Sequence, residues 1–349
     1  MISAAAPSTP KITLLAEGET GCPRVSGNGK VVVWSQMVDG HSVILKHEDG
    51  ATNQISEDGY DCVNPCLSND GSVIAYARYT PSQDEKRPGG SFDVYQYRDG
   101  ENTPVAAGPG NEYEVEISKD GSTIAWDDDM NGSWLNWRVG KWHGGETAYL
   151  TNGDINSEFP FIAGDTNQVY FHQSKSGRVR LATEGPNGSI ITAATGPGDL
   201  VWPDVTDDGK SVMWTDNSRV NDQILRQTDG QLATDVQQDG VDCTWARMSG
   251  DGSRMTWTQF DRRVADPSQP VASVAYRENG QTETLAVGDV QGFPSMPDLS
   301  DDGKTLTWLW VANEEGAHTR VYMCERGSEE APAPPSEPPS ATRAQGEKL

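Results

Sequence analysis

Basic residues are scarce in this chain: Lys and Arg total 27 against 52 Asp and Glu, a formal net charge of −25. Such a surface repels phosphate backbones, which excludes nucleic acid as a partner of the main body and leaves basic partners or cations. Long apolar runs are missing as well. No stretch approaches the ~18 residues of a membrane helix. Met1 to Pro10 has no basic start with an apolar run behind it, so no leader is read there. Cysteine is sparse and odd in number, five in 349 residues, which fits free thiols better than a disulfide framework. The expectation is a cytosolic protein or one built into an assembled particle. A periplasmic or secreted chain whose leader had been removed reads the same.

The familiar catalytic phrases are absent too. There is no Gly-x-Ser-x-Gly elbow, no His-Glu-x-x-His, no complete Gly-x-x-x-x-Gly-Lys-Ser/Thr phosphate loop and no Gly-x-Gly-x-x-Gly. The five histidines, His41, His47, His143, His172 and His318, fall at unlike places. Of the acidic runs, none matches an EF-hand, and Asp127 to Asn131 is where a Ca²⁺ would fit best. No catalytic residue, metal ligand or cofactor is therefore assigned. Cys62 and Cys66 are spaced C-x-x-x-C, unlike redox or zinc motifs. A Cys22–Cys324 staple is conceivable, but small apolar thiols filling niches is the favoured reading.

Glycine and tryptophan, by contrast, are plentiful at 37 and 11 residues. That mix favours many short strands joined by tight turns. One phrase recurs: Val25-Ser26-Gly27-Asn28-Gly29, Leu67-Ser68-Asn69-Asp70-Gly71, Ile117-Ser118-Lys119-Asp120-Gly121, Val205-Thr206-Asp207-Asp208-Gly209, Met248-Ser249-Gly250-Asp251-Gly252 and Leu299-Ser300-Asp301-Asp302-Gly303. A degenerate copy is Ile162-Ala163-Gly164-Asp165-Thr166. The anchoring glycines are 42, 50, 88, 43 and 51 residues apart, and the degenerate copy halves the gap of 88. Five residues after each anchor stands an aromatic: Trp34, Tyr76, Trp126, Phe171, Trp214, Trp257 and Trp308.

Asn/Asp-Gly predicts a two-residue hairpin turn with positive φ angles, and the run behind it begins a strand. A second turn follows later in each repeat, at Asp49-Gly50, Asp99-Gly100, Gly144-Gly145, Asn187-Gly188, Asp229-Gly230 and Asn279-Gly280. Four short antiparallel strands per repeat make one propeller blade. The fold class is therefore all-β, a seven-bladed β-propeller of four-stranded blades. The seventh repeat lacks its outer strand, and Lys11 to Gly18 has the pattern to supply it, so the last blade is closed by the N-terminal strand. The propeller spans 11–327, preceded by a flexible 1–10 and followed by a disordered Pro-rich tail, 328–349.

The sequence resembles the TolB-type propellers, whose hallmark is a Pro-x-x-Ser-Pro-Asp-Gly-Lys turn followed by an apolar run and an aromatic. The nearest matches are Pro203-Asp204-Val205-Thr206-Asp207-Asp208-Gly209-Lys210 and Pro297-Asp298-Leu299-Ser300-Asp301-Asp302-Gly303-Lys304; the proline before Asp-Gly is replaced throughout. The resemblance covers 11–327. It implies a propeller of the kind used by periplasmic scaffolds, peptidase gating domains, some polysaccharide lyases and particle proteins, and it carries over no catalytic residue.

The loops leading into the innermost strands share one rim, and they hold Tyr60, Tyr113, Phe159, Trp202, Trp245 and Phe293. Aromatics ringed on a rigid scaffold suit recognition, while blade packing is the plainer explanation of each. Arg24, Cys66, Glu116, Phe161, Asp204, Arg247 and Asp298 are expected to line the axis, with Arg24 and Arg247 as binding candidates or as members of a salt-bridged plug. Two long loops, Tyr79 to Ser91 and Phe260 to Ala272, are expected on the same rim. The resulting expectation is a monomeric, non-catalytic propeller whose rim binds a protein partner, with no nucleic acid or membrane partner. A phage or virion structural protein, a polysaccharide lyase or hydrolase, and a carbohydrate-binding propeller stay open as alternatives.

Overall fold

Alternating apolar residues between Asp-Gly turns do build the expected ring. The structure is a computed structural model that describes residues 10–82, 89–108, 110–130, 136–175, 178–196, 200–263, 271–288, 292–312 and 318–327. These residues hold 28 strands in seven four-stranded antiparallel sheets. Six sheets take their strands consecutively from the chain. The seventh takes three from the C-terminal end and its outer strand, Lys11–Gly18, from the beginning. Pairing there runs from Lys11 opposite Glu325 to Gly18 opposite Thr319. The Pro-rich tail and residues 1–9 lie outside the described residues.

The seven spaced aromatics explain how neighbouring blades meet. Each is at most 2% exposed, and each belongs to a different apolar cluster joining two successive blades. Trp126 packs with Cys66, Val73 and Val94 of the blade before it. Trp34 packs with Leu309 and Val321 across the closing seam. A sheet sandwiched on both faces needs apolar residues on both, which is why Val73 to Ala77 and Thr305 to Leu309 are buried without alternation.

The two kinds of turn differ from each other. The later one is the two-residue hairpin predicted: Asp49 and Gly50 have φ of 51° and 76°, and Asp229 and Gly230 of 49° and 79°. The Ser-x-Asp-Gly phrase is a four-residue loop instead, in which only the glycine is left-handed, as at Gly71 with φ of 73°. There the Gly71 N–H donates to the Ser68 carbonyl at 2.9 Å, and the Val73 N–H donates to Ser68 Oγ at 3.0 Å. The Asp70 carboxylate accepts from the Ser72 N–H at 2.9 Å and the Ser68 hydroxyl at 2.7 Å. These donors hold the Asp70 carboxyl below its ordinary range. The aspartate thus serves as an internal cap, which is why a two-residue reading of Asp-Gly misses the loop.

The second residue of this phrase faces the axis at the closed end of the ring. In blade order it is Gly27, Asn69, Lys119, Gly164, Asp207, Gly250 and Asp301. Lys119 Nζ reaches Asp207 at 2.5 Å and Asp301 at 2.6 Å, spanning the axis. Seven side chains do not fit here, and the glycines make the room. A methyl group on Gly250 would lie 1.7 Å from Asp207 Oδ2 and 2.4 Å from Lys119 Nζ, and one on Gly27 1.8 Å from Asn69 Oδ1. Because Lys119 pins Asp207, the carboxylate has no free path aside. Gly250→Ala is expected to cost about 1–3 kcal/mol as overpacking, measured by urea unfolding, with recovery on adding Asp207→Gly. An unchanged midpoint in the single variant would mean the ring end is looser than drawn.

Candidate functional site

At the open end of the ring, the inner strands carry a feature the sequence reading missed. In six of seven blades the inner strand bulges, between Gly21 and Arg24, Val63 and Cys66, Glu158 and Phe161, Val201 and Asp204, Thr244 and Arg247, and Ser295 and Asp298. The bulged residue is left-handed without being glycine: Cys22, Asn64, Phe159, Trp202, Trp245 and Met296 have φ between 46° and 53°. In the third blade the same place is held by Glu114. Backbone in this region costs on the order of 1 kcal/mol per residue and concentrates at functional sites. Here it turns one side chain per blade towards the axis.

These seven residues ring the mouth of an axial pocket of about 200 Å³. In blade order they read Cys22, Asn64, Glu114, then Phe159, Trp202, Trp245, Met296, so the mouth is polar on one arc and apolar on the other. The apolar arc is a run of touching rings. Phe159 and Trp202 are 6.1 Å apart between centroids, and Trp202 and Trp245 are 6.3 Å apart. Trp202 is 42% exposed. On the polar arc Cys22 Sγ donates to Asn64 Oδ1 at 3.4 Å, and burial pushes the thiol up to about 11.

The floor consists of the axis-lining residues expected from sequence. Arg24 forms a fork on Glu116, at 3.0 and 3.1 Å, and also reaches Asp298 at 3.4 Å. Arg247 lies 3.7 Å from Glu116 and 3.8 Å from Asp204, with Phe161 beneath it at 5.5 Å. Burial raises the Asp204 carboxyl to about 6 against the pull of Arg247. The Asp298 carboxylate also accepts the Val25 N–H at 2.9 Å, and Asp204 that of Met248 at 2.8 Å. Arg24 is thus committed to the plug, while Arg247 pairs with its carboxylates only at 3.7 and 3.8 Å.

One pocket carboxylate stands apart. Among the described residues Glu114 accepts no hydrogen bond and makes no ion pair. Burial, with the nearby Glu116, raises its carboxyl to about 7, while Arg24 and Arg247 draw it down. Its own N–H and that of Phe159 both donate to the buried Asp127, at 3.0 and 3.2 Å, which ties the two arcs together.

The six aromatics read as one rim are not one class. Phe159, Trp202 and Trp245 lie within the inner strands and line the pocket. Tyr60 lies under the Arg78 guanidinium at 4.3 Å, and Tyr113 meets Phe92 edge-on at 5.1 Å. Phe293 extends the apolar arc outwards, 5.7 Å from Phe260, which is itself 6.0 Å from Trp245. Residues 83–88 and 264–270 of the two long loops lie outside the described residues; their flanks, Pro81 opposite Gly90 and Asp261 opposite Val271, continue the middle hairpins towards this end. The acidic run at Asp127 is consumed locally: Asp128 pairs with Arg138 at 2.6 Å, and Asp129 takes both Asn111 donors at 2.8 and 2.7 Å. Asn131 lies outside the described residues. All five thiols are free, and Cys22 lies on an inner strand where a loop was expected, so no Cys22–Cys324 staple forms.

No protein-family model and no curated protein matches this sequence. Solved structures do. An oligogalacturonate lyase in complex with manganese matches with a TM-score of 0.66 at 14% identity, covering 93% of this chain and 95% of that one. The β-propeller domain of the Trilobed protease from Pyrococcus furiosus matches with a TM-score of 0.62 at 10% identity, over 90% and 99% of the two chains. The fold is a seven-bladed β-propeller. An acylaminoacyl peptidase matches with a TM-score of 0.62 at 13% identity over 88% of this propeller, which spans about half, 51%, of that chain. At such identities the likeness is one of fold. Among the described residues no three His, Cys, Asp or Glu converge as a metal site.

Proposed function

We propose that the propeller is a binding module that docks a protein partner on its open end and takes a side chain of that partner into the axial pocket. The observation that carries this is the strained ring of bulged residues, which spends backbone energy to aim Phe159, Trp202 and Trp245 at one small cavity. At about 200 Å³ the cavity falls below the roughly 300–1,000 Å³ of ordinary small-ligand sites. It suits one or two inserted side chains better than a whole oligosaccharide. An exposed tryptophan braced by two tilted neighbouring rings is also the residue type that anchors protein interfaces.

The test compares quantitative affinity capture by the native chain and by Trp202→Ala/Trp245→Ala. Neither ring is among the fully buried aromatics, so the double variant is expected to keep its melting temperature within a few degrees and to lose the captured partner by at least tenfold. Unchanged recovery would move the docking face elsewhere. A polysaccharide lyase is the second reading, favoured by the fold likeness over nearly both full lengths and by His172 beside Phe159 at 6.3 Å between rings. It calls for cleavage of an acidic glycan that chelator and His172→Ala abolish.

A further inference from the structure

The pocket's chemistry narrows what enters it. Its charged lining comprises two cations, Arg24 and Arg247, and three acids, Glu114, Glu116 and Asp298. Glu116 and Asp298 are held by Arg24, and Asp298 also by the Val25 N–H. Glu114 is left over, on the polar arc of the mouth. An incoming carboxylate or phosphate meets three acids against two cations that are already ion-paired, and the field of a chain carrying −25. An incoming neutral side chain satisfies the apolar arc alone. A long cationic side chain satisfies both arcs, since its methylene stem is apolar and its head is charged, and indole faces attract cations in addition.

Resting on the docking role proposed above, we propose that the axial pocket receives a lysine or arginine side chain from a basic segment of the partner, its stem along Trp202 and Phe159 and its charged head on the Glu114 carboxylate. The groups facing Glu114 are Glu116, Asp127, Arg24, Arg247, Cys22 and Tyr113. With its carboxyl resting near 7, capture of a cation favours the ionised form and releases a proton. Affinity for the cation therefore rises as pH increases through about 7 and levels off above.

The probes are n-butylammonium, n-butylguanidinium, 1-butanol and butyrate, titrated into the full chain carrying ¹³C-methyl methionine, with the Met296 methyl at the mouth as reporter and the exposed Met37 as control. The two cations are expected to shift Met296 saturably, and at least tenfold more tightly than the alcohol, with butyrate inert. Glu114→Gln is expected to bring cation and alcohol within about twofold of each other, and to remove the rise between pH 6 and pH 8. Alcohol or butyrate binding as tightly as the cations, or a Glu114→Gln chain that still prefers cations, overturns the charge assignment and leaves the docking role standing. If no probe moves Met296 in the native chain, the pocket is closed to side chains and both proposals fall.

Discussion

A chain lacking residues 1–18 is expected to melt roughly 10 °C below the full protein. The strand Lys11–Gly18 is the outer strand of the seventh blade, and it faces Glu325 to Thr319 in seven register pairs. Its removal takes Leu15 and Ala16 away from Val25, Trp34, Leu309 and Val321 at the seam between the first and last blades. It also frees Thr319 Oγ1 from the Gly18 carbonyl at 3.0 Å. The ion pairs Lys11–Glu325 and Arg320–Glu17 are exposed and add little. Partial burial of Leu15, Ile12 and Leu14, with several ladder bonds, together amounts to about 5 kcal/mol, and a domain of this size loses about 2 °C per kcal/mol. The bared edge at Val321 and Met323 should also associate. Differential scanning calorimetry and light scattering at two concentrations check both consequences. A truncated chain that stays monomeric and melts within 2 °C of the full protein would show that the ring does not depend on this strand.

The ring itself was readable because two signals with one period coincide. A turn that needs glycine and an aromatic that needs a blade interface recur at a fixed separation, so even the degenerate copy at Gly164 to Thr166 could be placed by Phe171. Closure was readable for a different reason: the last repeat runs out at Cys324 with a strand missing, and an unassigned strand stands at the other end of the chain. The turn type was misread at the Ser-x-Asp-Gly phrase: a serine able to bond the turn backbone is legible there, but its bonds close a four-residue loop and not a two-residue hairpin. With Ser68 Oγ capping Val73, the loop no longer needs a left-handed aspartate.

The site was readable only in part. The floor residues Arg24, Cys66, Glu116, Phe161, Asp204, Arg247 and Asp298 each stand five residues before their anchor, so register alone located them. The mouth residues stand seven before, and the rim was instead gathered by residue type. Phe159, Trp202 and Trp245 share that register, whereas Tyr60, Tyr113 and Phe293 stand eleven, eight and ten before their anchors and point elsewhere. Glu114, Cys22, Asn64 and Met296 were passed over because they are not aromatic. A signal was available: Pro23, Pro65, Pro160, Pro203 and Pro297 all stand six residues before the anchor. Proline inside a strand marks an interrupted ladder, and five at one register mark a bulge repeated around an axis.

The plug beneath that mouth should prove costly to break from one side. Arg24 joins three blades through Glu116 and Asp298, and the two carboxylates hold its guanidinium more firmly protonated than burial alone would allow. Arg24→Ala leaves Asp298 without its cation and Glu116 with Arg247 alone, 3.7 Å away and already shared with Asp204. The loss expected is about 3 kcal/mol, the low end for breaking a buried pair, because these side chains keep 13–23% of their surface in contact with solvent. Guanidinium chloride unfolding at pH 7 measures it. The deficit should narrow as pH falls through the carboxylate range, since an acid without its cation gains by becoming neutral in the folded state. Arg24→Met combined with Glu116→Gln and Asp298→Asn removes the three charges of this cluster at once and should recover most of the loss, because desolvation of these ions disappears along with their attraction. If Arg24→Ala alone costs under 1 kcal/mol at pH 7 and shows no recovery on acidification, water reaches the axis freely. The pocket would then have no dry floor against which to hold a partner's side chain.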